Sequence, residues 1–130
     1  MQYIAFNLTE NSRKDLLTRI NPRFSEVYCE HITHIYGVSK ETDSSRISEL
    51  MPVKPKTVRA YAYSTDALGV EALLIEIDGV TLRPDGKPYH LTISLAEGRR
   101  QMDSNTVIEQ YGSKSLAEPI ELEVIPSWND

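Results

Sequence analysis

The chain is poor in cysteine, histidine, positive charge and long apolar runs, and each shortage closes off a class of protein. A single cysteine, Cys29, in 130 residues cannot form an internal disulfide, which excludes a small scaffold stapled by disulfides. The longest mostly apolar stretch, Val70 to Ile77, is broken by Glu71 and Glu76 and falls far short of the roughly 20 residues that span a bilayer. No positively charged start followed by an apolar run of signal-peptide length is present, so a reducing, cytoplasmic setting without a membrane partner is expected. The net charge of -5 argues against extended coating of nucleic acid, which rests on many Lys and Arg contacts to phosphates. It leaves room for a small anionic ligand, which needs only a local positive field. Lys54, Lys56 and Arg59 form one acid-free run of cations and Arg99 and Arg100 another; the ordinary alternative for both is a solvated loop.

What remains is the composition of one soluble α+β domain spanning residues 1–130, with 40% hydrophobic residues to fill a single core. Gln2 to Leu8 reads as a strand. Thr9 or Asn11 then caps a helix through Leu16, Leu17 and Ile20, which Asn21-Pro22 ends. Phe24 to Tyr36 is β-branched and aromatic and reads as one or two strands closed by Gly37. Ser39 to Pro55 is polar, either a short helix on Ile47, Leu50 and Met51 followed by a loop, or loop throughout. Val58 to Tyr63 and Val70 to Ile77 form a hairpin around Thr65 to Gly69. Arg83 to Pro88 is a dense turn signal leading into a strand at Tyr89 to Leu95. Asp103 or Ser104 caps a second helix through Val107, Ile108 and Tyr111, stopped by Gly112, and Pro119 to Ile125 alternates as a last strand.

Two of the three histidines stand in matching tetrads, His31-Ile32-Thr33-His34 and His90-Leu91-Thr92-Ile93. On an extended chain alternate side chains share a face, so each tetrad presents an imidazole beside a hydroxyl. Two such strands in one cleft would supply a base, an acid and two donors for phosphoryl oxygens, and an imidazole near its unperturbed pKa of about 6.5 does either proton-transfer job. A single His-x-Thr is more simply a half-buried strand; two copies among three histidines favour function. Cys29, Glu30, His31 and His34 suggest a metal competitor, but positions 31 and 34 project to opposite faces of a strand, so no metal and no cofactor is expected and His34 reads as outward-facing. Cys29 shares a face with His31 yet reads as a small buried hydrophobe, not a nucleophile.

The pair His31-Ile32-Thr33 and His90-Leu91-Thr92 resembles the 2H phosphoesterase superfamily, whose members carry two His-x-Thr/Ser motifs. The resemblance implies a two-lobed α+β fold with a concave groove between antiparallel sheets and helices outside. It also implies metal-independent cleavage of a cyclic nucleotide, a 2′,3′-cyclic phosphate or a short oligonucleotide, with His31 and His90 as acid-base pair and Thr33 and Thr92 as phosphate-holding hydroxyls. Only 59 positions separate His31 from His90, as in compact members, which include viral and phage enzymes that destroy nucleotide second messengers of host immunity. Base recognition would then fall to aromatics, among them Tyr36, Tyr61, Tyr63, Tyr89 and Trp128, with Lys54, Lys56, Arg59, Arg99 and Arg100 steering the anion. The rival from another class is a noncatalytic module on the same fold that sequesters a nucleotide or docks a protein.

Overall fold

Extended segments dominate the chain, which folds as a mixed α/β structure made mostly of antiparallel sheet. The computed structural model describes residues 2–38 and 49–129. Its elements run β1 (Gln2–Leu8), α1 (Glu10–Arg19), β2 (Glu26–Val27), β3 (His31–Val38), β4 (Val58–Thr65), β5 (Val70–Ile77), β6 (His90–Leu95), α2 (Asp103–Tyr111), β7 (Lys114–Glu121) and β8 (Val124–Asn129). The expected helical face at Ile47 lies outside the described residues. Among those residues no helix is long and apolar enough to cross a membrane.

All eight strands of the described residues join one antiparallel sheet, in the order β7-β4-β5-β6-β3-β1-β8 with β2 beside β6. A single continuous sheet therefore replaces the two expected from the family resemblance. Only Leu122 and Glu123 separate β7 from β8, the two outer strands, and two residues reach less than about 11 Å. The sheet must curl until its edges meet there. Leu122 N–H donates to the Val58 carbonyl at 2.8 Å and Thr9 N–H to the Glu123 carbonyl at 3.0 Å, tying that link to β4 and to the start of α1. The single last strand expected over Pro119 to Ile125 is thus two strands on opposite edges. Both edges carry a proline, Pro119 and Pro126, which suits a strand whose outer N–H groups have no ladder partner.

One sheet face holds the main core, with Phe6, Ile32, Leu73, Ile75, Leu91, Ile93 and Val124 packed around Leu16 of α1. Thr9 caps α1 as expected, its hydroxyl accepting from Ser12 N–H at 3.1 Å. The opposite face of β4 and β5 is covered by α2, through Ile108 against Ala62 and Leu74. Cover on both faces explains why β6 is buried along its whole length. Helix α2 starts after Met102, ahead of both expected caps: Asp103 turns its carboxylate to the Arg100 N–H at 2.9 Å, and Ser104 spends its hydroxyl on Thr92 at 2.9 Å. β2 and β3 are separate because Cys29 adopts φ 55, a left-handed conformation that ends an extended run.

Candidate active site

The two His-x-Thr strands are neighbours at the middle of the sheet, paired through Ile32 opposite Leu91. Directly opposed residues of an antiparallel pair point to the same face, and both of these are fully buried in the main core. Their neighbours along each chain must then point the other way. His31, Thr33, His90 and Thr92 accordingly share the face away from the main core, and all four line one cavity of about 450 Å³.

The walls of that cavity come from four places. Tyr3 and Tyr36 stand on β1 and β3, their rings stacked with centroids 6.3 Å apart. Arg100, Gln101, Met102 and Asn105 come from the approach to α2 and its first turn, so this helix borders the site where both helices were expected outside it. The turn before β6 contributes Arg83, Asp85 and Lys87. Arg83 is almost fully buried, and its Nε and one terminal nitrogen bond Asp85 at 3.1 and 2.5 Å. That bond, with further help from the Lys87 backbone, holds the Asp85 carboxyl down at about 2. Asn105 Oδ1 is buried with no hydrogen-bond partner among the described residues, a cost of about 1–3 kcal/mol that a ligand donor would relieve.

The two imidazoles differ in setting. His90 is buried, and its Nδ1 lies 3.1 Å from the Pro88 carbonyl. A carbonyl only accepts, so Nδ1 carries the proton and Nε2 of the neutral ring keeps its lone pair. Burial pulls His90 down to about 4; the Pro88 bond opposes this, and the charges of Arg83 and His31 reinforce it. His31, half-buried with its ring 5.1 Å from that of Tyr3, is lowered by burial and raised by Glu30. The Thr92 hydroxyl is fixed by Ser104, itself fully buried.

The remaining sequence candidates divide by position. Tyr36 and Arg100 line the cavity. Trp128 lies in an adjoining hollow. Tyr89 belongs to the main core on the other face, where its hydroxyl lies 2.7 Å from His34 Nδ1. His34 faces away from the cavity as its odd spacing requires, but it is half-buried against Phe6 and Tyr89 instead of pointing to solvent. Arg99 is committed to Asp66 at 2.9 Å and Asp103 at 3.6 Å, outside the cavity lining. Lys54, Lys56 and Arg59 also lie outside it; Arg59 stands on β4 between Glu76 and Glu121 of the neighbouring strands. Tyr61 and Tyr63 lie outside it too, Tyr63 donating to the buried Glu71. Sequence reading passed over Tyr3, Arg83, Asp85, Lys87, Gln101, Met102 and Asn105. The available signal was two cations in the turn directly before the second motif.

Cys29 is fully buried and its thiol is pushed up to about 11, chiefly by burial, which keeps it a protonated, inert side chain. Among the described residues no group of three or more His, Cys, Asp or Glu is placed to hold a metal ion. No protein-family model, curated protein or solved structure matches this chain.

Proposed function

We propose that this protein is a phosphodiesterase of the 2H type that cleaves a nucleotide phosphodiester by acid-base catalysis between two histidines. The observation that supports it most is the convergence of His31, Thr33, His90 and Thr92 from two distant tetrads onto one face and one cavity. His90 suits the base: it is neutral above about pH 4 and its Nε2 is free to take the proton of an attacking hydroxyl or water. His31, less deeply placed, suits the acid that protonates the leaving oxygen. Thr33, Thr92 and Arg83 line the space where charge builds on the nonbridging oxygens, and fixed donors there lower the barrier without reorganisation.

The test is turnover of cyclic mono- and oligonucleotides, 2′,3′-cyclic phosphates and short 3′-5′ and 2′-5′ oligonucleotides, followed by chromatography with and without EDTA. Turnover is expected with and without chelator, with a loss of about 10²- to 10⁴-fold in His31→Ala and in His90→Ala. kcat/KM should rise with pH as His90 loses its proton near 4 and fall as His31 loses its proton below 6.5, giving an acidic optimum. Undiminished rates in both variants, or inhibition by EDTA, overturn the mechanism. Stoichiometric retention of a nucleotide without product points to a sequestering module instead.

A further inference from the structure

A second hollow of about 360 Å³ adjoins the first at His31, lined by Tyr3, Asn7, Glu30, His31, Trp128 and Asn129. Tyr3 and His31 line both hollows, so their two adjacent rings form a shared wall. Each space lies within the range of roughly 300–1,000 Å³ that holds a small molecule.

Charge divides unequally between them. The first hollow holds Arg83, Lys87 and Arg100 against Asp85 alone. Apart from the shared His31, the second holds no basic side chain and one carboxylate, Glu30. A phosphoryl group therefore belongs in the first, and a neighbouring group that enters the second must not be an anion. The second offers aromatic surface from Tyr3 and Trp128, an acceptor in Glu30 for amino or imino groups, and two amides. Those amides, Asn7 and Asn129, bond each other at 3.2 and 2.9 Å across β1 and β8, which holds them in fixed orientation. This is the chemistry of a nucleoside.

We infer that the second hollow receives the leaving nucleoside of an internucleotide phosphodiester, so that the substrate carries a nucleoside on each side of the scissile phosphate. The inference rests on the phosphodiesterase reading above and narrows it. The attacking oxygen bonds to phosphorus as its proton passes to His90. The bond from phosphorus to the leaving nucleoside's oxygen breaks, and that oxygen takes its proton from His31, which stands between the two hollows. The products are a phosphate ester of the first nucleoside, cyclic if its own ribose hydroxyl attacks and linear if water does, and a second nucleoside with a free hydroxyl. A nucleoside 2′,3′-cyclic phosphate keeps both ester oxygens on one sugar and leaves the second hollow empty.

The test compares kcat/KM for three substrates with the same first nucleoside: its 3′-phosphate methyl ester, its 2′,3′-cyclic phosphate, and dinucleoside monophosphates carrying each of the four bases on the leaving side. Methanol and a sugar hydroxyl are leaving groups of similar basicity, so the comparison isolates binding in the second hollow. At least one dinucleoside should exceed both smaller substrates by about tenfold or more, an advantage of the size that one well-filled subsite gives. Asn129→Leu and Glu30→Gln should each shrink that ratio. Glu30 is exposed and outside the amide pair, so its variant tests the hollow without disturbing β1 and β8. Equal rates on methyl ester and dinucleosides, or equal losses on both in the variants, overturn the inference and leave the phosphodiesterase reading standing. If the wild-type protein turns over neither these three nor the cyclic and 2′-5′-linked substrates named above, the phosphodiesterase reading fails and the inference with it.

Discussion

Arg83 has the most consequence of any single residue the sequence did not single out. As the first member of Arg-Pro-Asp-Gly-Lys-Pro it looks like turn dressing, and only burial beside His90 gives its charge weight. A buried cation repels an imidazolium, so replacing it should let the ring hold its proton more readily. In Arg83→Met the His90 pKa is expected to rise above about 4, read by NMR titration, while burial keeps it below 6.5. Activity should fall by about 10²-fold, the usual effect of losing one donor to a developing oxyanion. An unmoved His90 titration would show that the guanidinium has no electrostatic grip on the imidazole. Glu71 offers the opposite lesson at the same scale. In sequence it interrupts an apolar run; in the fold it is almost wholly buried, accepting from Arg23 N–H at 2.7 Å, Ser94 Oγ at 2.6 Å and Tyr63 OH at 2.5 Å. Those three bonds offset its desolvation and fasten the segment after α1 to β5 and β6.

Among the elements, the turn from Arg83 to Pro88 organises the site. Arg83 N–H bonds the Lys87 carbonyl at 2.8 Å, Gly86 N–H bonds the Arg83 carbonyl at 2.9 Å, and Leu82 bridges Pro88. The same few residues place both cations and the carbonyl that fixes the His90 tautomer. Gly86 holds φ +85 with nothing within 4 Å of where a Cβ would stand, so a side chain there meets backbone strain and no clash. Gly86→Ala should lower unfolding stability by about 1 kcal/mol in urea titration, with an accompanying loss of activity as Arg83 shifts. Unchanged stability would mean that the turn relaxes freely. Element identity was largely legible in sequence: β1, α1, the β4–β5 hairpin and β6 follow from alternation, caps and turn residues. The edge strands were not: the alternation over Pro119 to Ile125 runs straight across the break at Leu122 and Glu123, and β7 before it is exposed along most of its length.

At the scale of the whole molecule, the two cavity histidines tie folding to pH. Each has a folded-state pKa below that of the unfolded chain, so between the two values the unfolded chain binds more protons. Stability is then complete above about pH 6.5 and is lost as pH falls toward 4. His90 accounts for at most about 3 kcal/mol of this, from its value near 4 and a cost of 1.36 kcal/mol per pKa unit. Asp85 acts in a lower window, from its ordinary carboxylate value down to about 2. Urea unfolding at pH 7 and pH 4.5 should show the decline, and His90→Gln should flatten it. An equal decline in that variant would assign the sensitivity to other groups.

Alternation, turn chemistry and two repeated tetrads were enough, in sequence, to put an imidazole and a hydroxyl on the same face of each of two strands, because the period of an extended chain is a local property. That those strands are adjacent, that the sheet curls until its outer strands meet at Leu122–Glu123, and that Arg83, Tyr3 and the first turn of α2 close around the histidines were decided only in three dimensions. Register, burial and charge proximity depend on pairings between residues far apart in the chain, and no local pattern encodes them.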